Sequence, residues 1–101
     1  MPQFLIILRP GRPGFPSDAT EEEISKVGEH FQYLKAATER GQAILVGRTQ
    51  DDDPIGLAIF EAEDDVAANE FMNKDPGVEA GVFKAELRPY SIALMRDGST
   101  F

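Results

Sequence analysis

The chain contains one histidine, His30, and no cysteine. Proton transfer near neutral pH therefore falls to a single imidazole, while a thiol nucleophile, a disulfide framework and a thiolate metal site are excluded. The carboxylate with a reason to meet that imidazole is Asp75, at the Asp75-Pro76-Gly77 break that closes the second helical segment. An acid near a helix C-terminus faces the unfavourable end of the dipole and gains from a donor or cationic partner. A carboxylate in turn fixes the imidazole tautomer and stabilises the imidazolium formed on protonation. Asp followed by Pro is also how a helical turn begins, with Asp as N-cap and Pro at the first position. The two roles are compatible.

Three arginines, Arg9, Arg12 and Arg48, fall at or just beyond strand ends, where a guanidinium can grip a carboxylate or phosphate at two points. Arg9 and Arg48 are taken as substrate-binding candidates; Arg12 reads as a balance for neighbouring acids. Tyr33 and Ser91 fit packing as well as ligand orientation. Asp51 to Asp53 lack the alternation and distal glutamate of a calcium loop and read as a solvated hairpin loop. A lone histidine does not make a closed zinc site within one chain, and haem ligation by His30 would need an apolar slot. Gly11 and Gly14 lie in a proline-rich loop, not a Gly-rich strand-to-helix turn. No metal and no cofactor is expected.

The elements that must position His30 and Asp75 follow from periodicity. Phe4 to Leu8 is a short apolar run ended by Arg9-Pro10-Gly11, a strand apolar on both faces. Arg9 to Ser17, with three prolines and two glycines, is a loop. Ser17, Asp18 or Thr20 caps a helix with Glu21 to Glu23 in its first turn, running to about Arg40 before Gly41. Ile24, Val27, Phe31, Leu34 and Thr38 recur at helical spacing and are predicted to form its buried stripe. At about 100° per residue, His30 then lies roughly 80° from the stripe's centre. Ala43 to Val46 and Ile55 to Phe60 form an antiparallel hairpin with a wide loop. Asp64 or Asp65 opens a second helix in which Ala68 and Phe71 share a face that Asp75 continues. Phe83, Ala85 and Leu87 alternate with Lys84, Glu86 and Arg88 in a last strand within Gly81 to Leu94, interrupted at Pro89.

Strand, helix, strand, strand, helix, strand is the split βαβ order of an α+β, ferredoxin-like βαββαβ sandwich, with the first and third strands central. Two helices cover one sheet face. Because Phe4, Ile6 and Leu8 oppose Leu5 and Ile7, the bare face is apolar too, and a second copy of the same sheet is its simplest cover. A homodimer through the open sheet face is therefore expected.

With 101 residues and 11.1 kDa the chain is one domain, residues 1–101, small enough to gain from burial by association. A formal net charge of -8 argues against nucleic acid and anionic membrane surfaces as partners. Met1-Pro2-Gln3 leads straight into a strand without a basic segment or cleavage site, and no stretch approaches the ~20 apolar residues of a membrane span. A cytoplasmic protein is expected.

The segments His30-Phe31-Gln32-Tyr33-Leu34, Gly41 to Gly47, Asn73 to Phe83 and Glu86 to Tyr90 together resemble the YCII-related (YciI-like) proteins, over roughly residues 4 to 92. The resemblance implies a dimeric α+β barrel with a His-Asp active site, carried here by His30 and Asp75. Some relatives of this kind resemble ring-cleavage-pathway lyases such as dehydrochlorinases, and related dimeric barrels include muconolactone isomerase and haem proteins. The sequence departs from the family at Gly28-Glu29, at Gly47-Arg48 and in the arginine-bearing loop, all around the implied pocket. The reading is a cofactor-free lyase or isomerase acting on a small anionic molecule through a His-Asp dyad. Its alternative is a non-catalytic small-molecule-binding or accessory protein.

Overall fold

A computed structural model describes residues 1–96. Four strands, β1 (Gln3–Pro10), β2 (Ala43–Arg48), β3 (Gly56–Glu61) and β4 (Phe83–Tyr90), form one antiparallel sheet in the order β2-β3-β1-β4. Helices α1 (Glu21–Glu39) and α2 (Asp65–Asn73) and the single turn α3 (Pro76–Glu79) complete an α+β, ferredoxin-like sandwich. The first and third strands are central, as the split βαβ order requires.

Alternation along β1 sets the two faces. Phe4, Ile6 and Leu8 are buried against the helices, with Ala58, Phe60 and Ala43 beside them. Phe60 is fully enclosed, its ring 4.5 Å from that of Phe71 on α2 and 5.9 Å from that of Phe4. Leu5 and Ile7 point the other way, in register with Ile59 and Leu57, and these four stay only partly buried. Glu86 and Arg88 of β4 share that outer face, and Leu45 of β2 extends it.

The start of α1 is a capping box: Thr20 Oγ1 accepts from the Glu23 amide at 3.1 Å, and Glu23 Oε1 accepts from the Thr20 amide at 2.8 Å. Of the three caps the sequence offers, Thr20 is used. The helix closes in a Schellman turn, Gln42 N donating to Ala37 O and Gly41 N to Thr38 O, with Gly41 at φ 82°. The predicted buried stripe is corrected. Leu34 and Ala37 are buried, whereas Ile24 and Phe31 are 61% and 60% exposed and Thr38 is exposed as well. The helix is turned so that His30, Tyr33, Leu34 and Ala37 face inward. Hydrophobicity alone favoured Ile24 and Phe31, but Ala37 allows close approach, and His30 and Tyr33 find polar partners that offset their burial.

Asp64 caps α2 through the Ala67 amide at 2.8 Å, and Ala68, Phe71 and Met72 form its buried face. The β2-β3 loop is closed by Thr49, whose amide donates to Ile55 O at 2.9 Å and whose hydroxyl accepts from Ile55 N at 2.9 Å. Strand β4 runs through Pro89 to Tyr90 and ends there, short of the predicted Leu94; as an edge strand it tolerates the missing N–H.

Candidate active site

The turn after α2 brings Asp75 to α1. Asp75 is the N-cap of α3: its Oδ1 accepts from Gly77 N at 2.8 Å. Its second oxygen, Oδ2, lies 2.6 Å from Nδ1 of His30. Asp75 is thus both cap and imidazole partner. It is only 4% exposed, and the His30 side chain 13%. With a carboxylate that only accepts, the bond assigns the proton to Nδ1 and leaves the lone pair on Nε2. That tautomer is the one a general base needs, and the ion pair formed when Nε2 takes a proton is already positioned.

One aromatic ring packs on the imidazole and a second backs that ring. Phe83, the first residue of β4, sits 4.7 Å from the His30 ring, centroid to centroid, and Phe15 meets Phe83 edge-on at 5.8 Å. Phe15 is buried and comes from the proline-rich loop. That loop is clamped to α1 by Arg12, whose Nε and Nη2 donate to the Glu23 carboxylate at 2.9 and 2.7 Å and whose Nη1 pairs with Asp18 at 2.9 Å. These hydrogen bonds hold the Glu23 carboxyl down at about 2 and push the Arg12 guanidinium further up. Arg12 is therefore a loop anchor with its donors engaged.

The structure separates the two arginines proposed to hold substrate. Arg9 alternates with Leu5 and Ile7, so it projects from the sheet face opposite the dyad, where it pairs with Glu86 at 2.9 Å. Arg88 also binds Glu86, and the two guanidiniums lower that carboxyl below its ordinary value. Arg48 ends β2 in register with Gly56, whose own partner is Leu8, on the helix-bearing face; it is exposed. Arg48 thus shares the dyad's face of the sheet and Arg9 does not, but Arg48 stands on β2, the edge strand opposite the β4 that carries Phe83, so neither arginine is brought to the dyad.

Three residues around the dyad make contacts that the sequence reading did not give them. Phe83 was legible only as strand core. Gly77 lies where a Cβ would stand 2.8 Å from the Phe83 ring and 3.1 Å from His30 Cβ, so its lack of a side chain is needed for the close approach. Tyr33 donates its hydroxyl to the Phe71 carbonyl at 2.7 Å, and burial followed by the charge of Asp75 pushes its phenol upward. Among the described residues no three carboxylate or imidazole side chains converge as a metal-binding group, and no helix is long and apolar enough to cross a membrane.

Comparison with known proteins bears on the fold and the family. No curated protein matches the chain. A solved structure of 5-chloro-2-hydroxyhydroquinone dehydrochlorinase (TftG) from Burkholderia phenoliruptrix AC1100, in complex with 2,5-dihydroxybenzoquinone, superposes with a TM-score of 0.67. It is 23% identical, and the match covers 89% of this chain and 95% of that one, a likeness of fold. The model of the YCII-related domain matches residues 4–90, which includes every strand and helix that builds the dyad, and the chain belongs to the YCII-related family.

Proposed function

We propose that the protein is a lyase or isomerase that acts on a small anionic molecule by proton transfer at His30. The observation that carries this reading is the 2.6 Å contact between His30 Nδ1 and Asp75 Oδ2, with the imidazole packed on the Phe83 ring that Phe15 backs. Asp75 orients the ring and stabilises the imidazolium; Nε2 removes a proton from one carbon or oxygen of the substrate and returns it to another or to the leaving group. The step needs a proton acceptor and donor and no cofactor. Arg48, exposed on the helix-bearing face, is the arginine left to meet the substrate's negative charge, and because β2 lies across the sheet from β4 it would do so only for a ligand that reaches over that face. The dehydrochlorinase named above, with a dihydroxybenzoquinone bound, supports a hydroxylated ring as the first substrate class to try.

A homodimer belongs to the same proposal. Leu5, Ile7, Leu57, Ile59 and Leu45 make one apolar surface on the bare sheet face, and a second copy laid on it would close a barrel of two sheets. The deciding experiment is a screen of chlorinated and hydroxylated aromatic compounds with product detection by mass spectrometry. Turnover should fall at least about 100-fold in His30→Ala while the assembly stays folded. Full turnover in that variant overturns the reading. Ligand-dependent thermal stabilisation without any product would favour a binding protein instead.

A further inference from the structure

The exit of α2 poses a hydrogen-bonding problem that α1 solves. In a continuing helix the Phe71 carbonyl would accept from the amide of Asp75. The chain instead turns out of the helix: Asp75 N donates to Met72 O at 3.3 Å and Lys74 N to Glu70 O at 3.0 Å. The donor that reaches the Phe71 carbonyl is the Tyr33 hydroxyl, at 2.7 Å, while the Tyr33 ring stacks on Phe71 at 5.2 Å. Tyr33 follows His30 by one helical turn and lies on the same inward face. The short segment that delivers Asp75 is thus tied to α1 twice, at the carbonyl of Phe71 and at the carboxylate of Asp75.

We propose that Tyr33 is a positioning residue for the His30-Asp75 dyad, its hydroxyl fixing the exit of α2 where Asp75 Oδ2 meets His30 Nδ1. Phenylalanine would pack on Phe71 equally well, so the hydroxyl is the part that requires explanation. Burial and the nearby Asp75 charge raise the phenol's pKa, so it stays a protonated donor. Removing it strands a partly buried carbonyl and takes away one of the turn's two side-chain ties to α1, leaving the dyad bond, which then opens more often. The catalytic consequence rests on the function proposed above; the positioning does not.

The test is Tyr33→Phe, read by NMR at the imidazole, which is a single assignable signal because His30 is the only histidine. The amide spectrum should stay dispersed, while the His30 Nδ1–H proton exchanges with water about tenfold faster or broadens away, the loss of roughly one hydrogen bond's restraint. Thr38→Ala is the matched control, since it deletes another α1 hydroxyl bond, Thr38 Oγ1 to Leu34 O at 2.8 Å, and should leave that proton unchanged. A wild-type Nδ1–H signal in Tyr33→Phe overturns the proposal, as does an equal loss in Thr38→Ala. Should Tyr33→Phe not fold, the wild-type chain carrying 3-fluorotyrosine gives a second reading. Its Tyr33 fluorine resonance must move on Asp75→Asn, and an unmoved resonance overturns the proposal. No substrate enters these measurements, so a failed turnover screen counts against the reaction and an unaltered imidazole proton against Tyr33.

Discussion

Gly77 shows how little freedom the dyad leaves its neighbours. Its amide holds one oxygen of Asp75, and the space where a Cβ would stand is filled by the Phe83 ring and His30 Cβ. Gly77→Ala adds one methyl group against two ring atoms and the imidazole stem, so the rings must shift apart. Urea denaturation should show a loss of about 1–3 kcal/mol, the usual cost of overpacking, and turnover should fall with it. A variant as stable as wild type would mean that Phe83 yields freely. Asp75 was legible in the sequence because Asp-Pro-Gly announces a cap, and His30 because it is the only imidazole. Phe83 was not legible as a neighbour of the dyad, and Tyr33 stayed undecided between packing and ligand orientation, since each meets a distant segment through a contact that periodicity does not encode.

At the level of elements, strand order, the hairpin and both long helices could be read from the chain, but the inward face of α1 could not. A hydrophobic count weights Ile24 and Phe31 above a histidine, a tyrosine and an alanine, and the fold inverts that order because the polar pair is satisfied at Asp75 and Phe71. The N-terminus of α1 carries a testable electrostatic load. Thr20→Ala removes the capping box and should lower stability by about 1 kcal/mol in a thermal or urea melt. The Glu23 carboxyl, held at about 2 by Arg12 and the Thr20 amide, titrates below its ordinary value of 4.5. In this window the unfolded chain binds more protons, so stability rises with pH there. The contribution is complete above about 4.5 and is lost as pH falls from there toward 2. Glu23→Gln should therefore flatten the acid limb of a Tm-against-pH profile over that range and lower the plateau above it. An unchanged acid limb would place the acid sensitivity elsewhere.

For the molecule as a whole, the apolar sheet face is where the proposed dimer would form. Leu57 and Ile7 stand opposite each other at the middle of that face, so Leu57→Lys introduces a charge where two copies would meet. Light scattering should then report a dimer for wild type and monomer for the variant; a monomeric wild type would leave the face to another partner. The two margins of the sheet behave differently from its face. Strand β2 breaks register between Ala43 and Leu45, and β4 carries Lys84, Glu86, Arg88 and Pro89 along its length. A bulge on one margin and charge with proline on the other deny an incoming strand a continuous ladder. Growth by strand addition, the route to fibrils, is therefore blocked at both ends of the sheet. Concentrated solutions should reach a finite complex and stop, even though Ala-Ile-Leu-Val in β2 is the kind of segment that seeds aggregates in other settings.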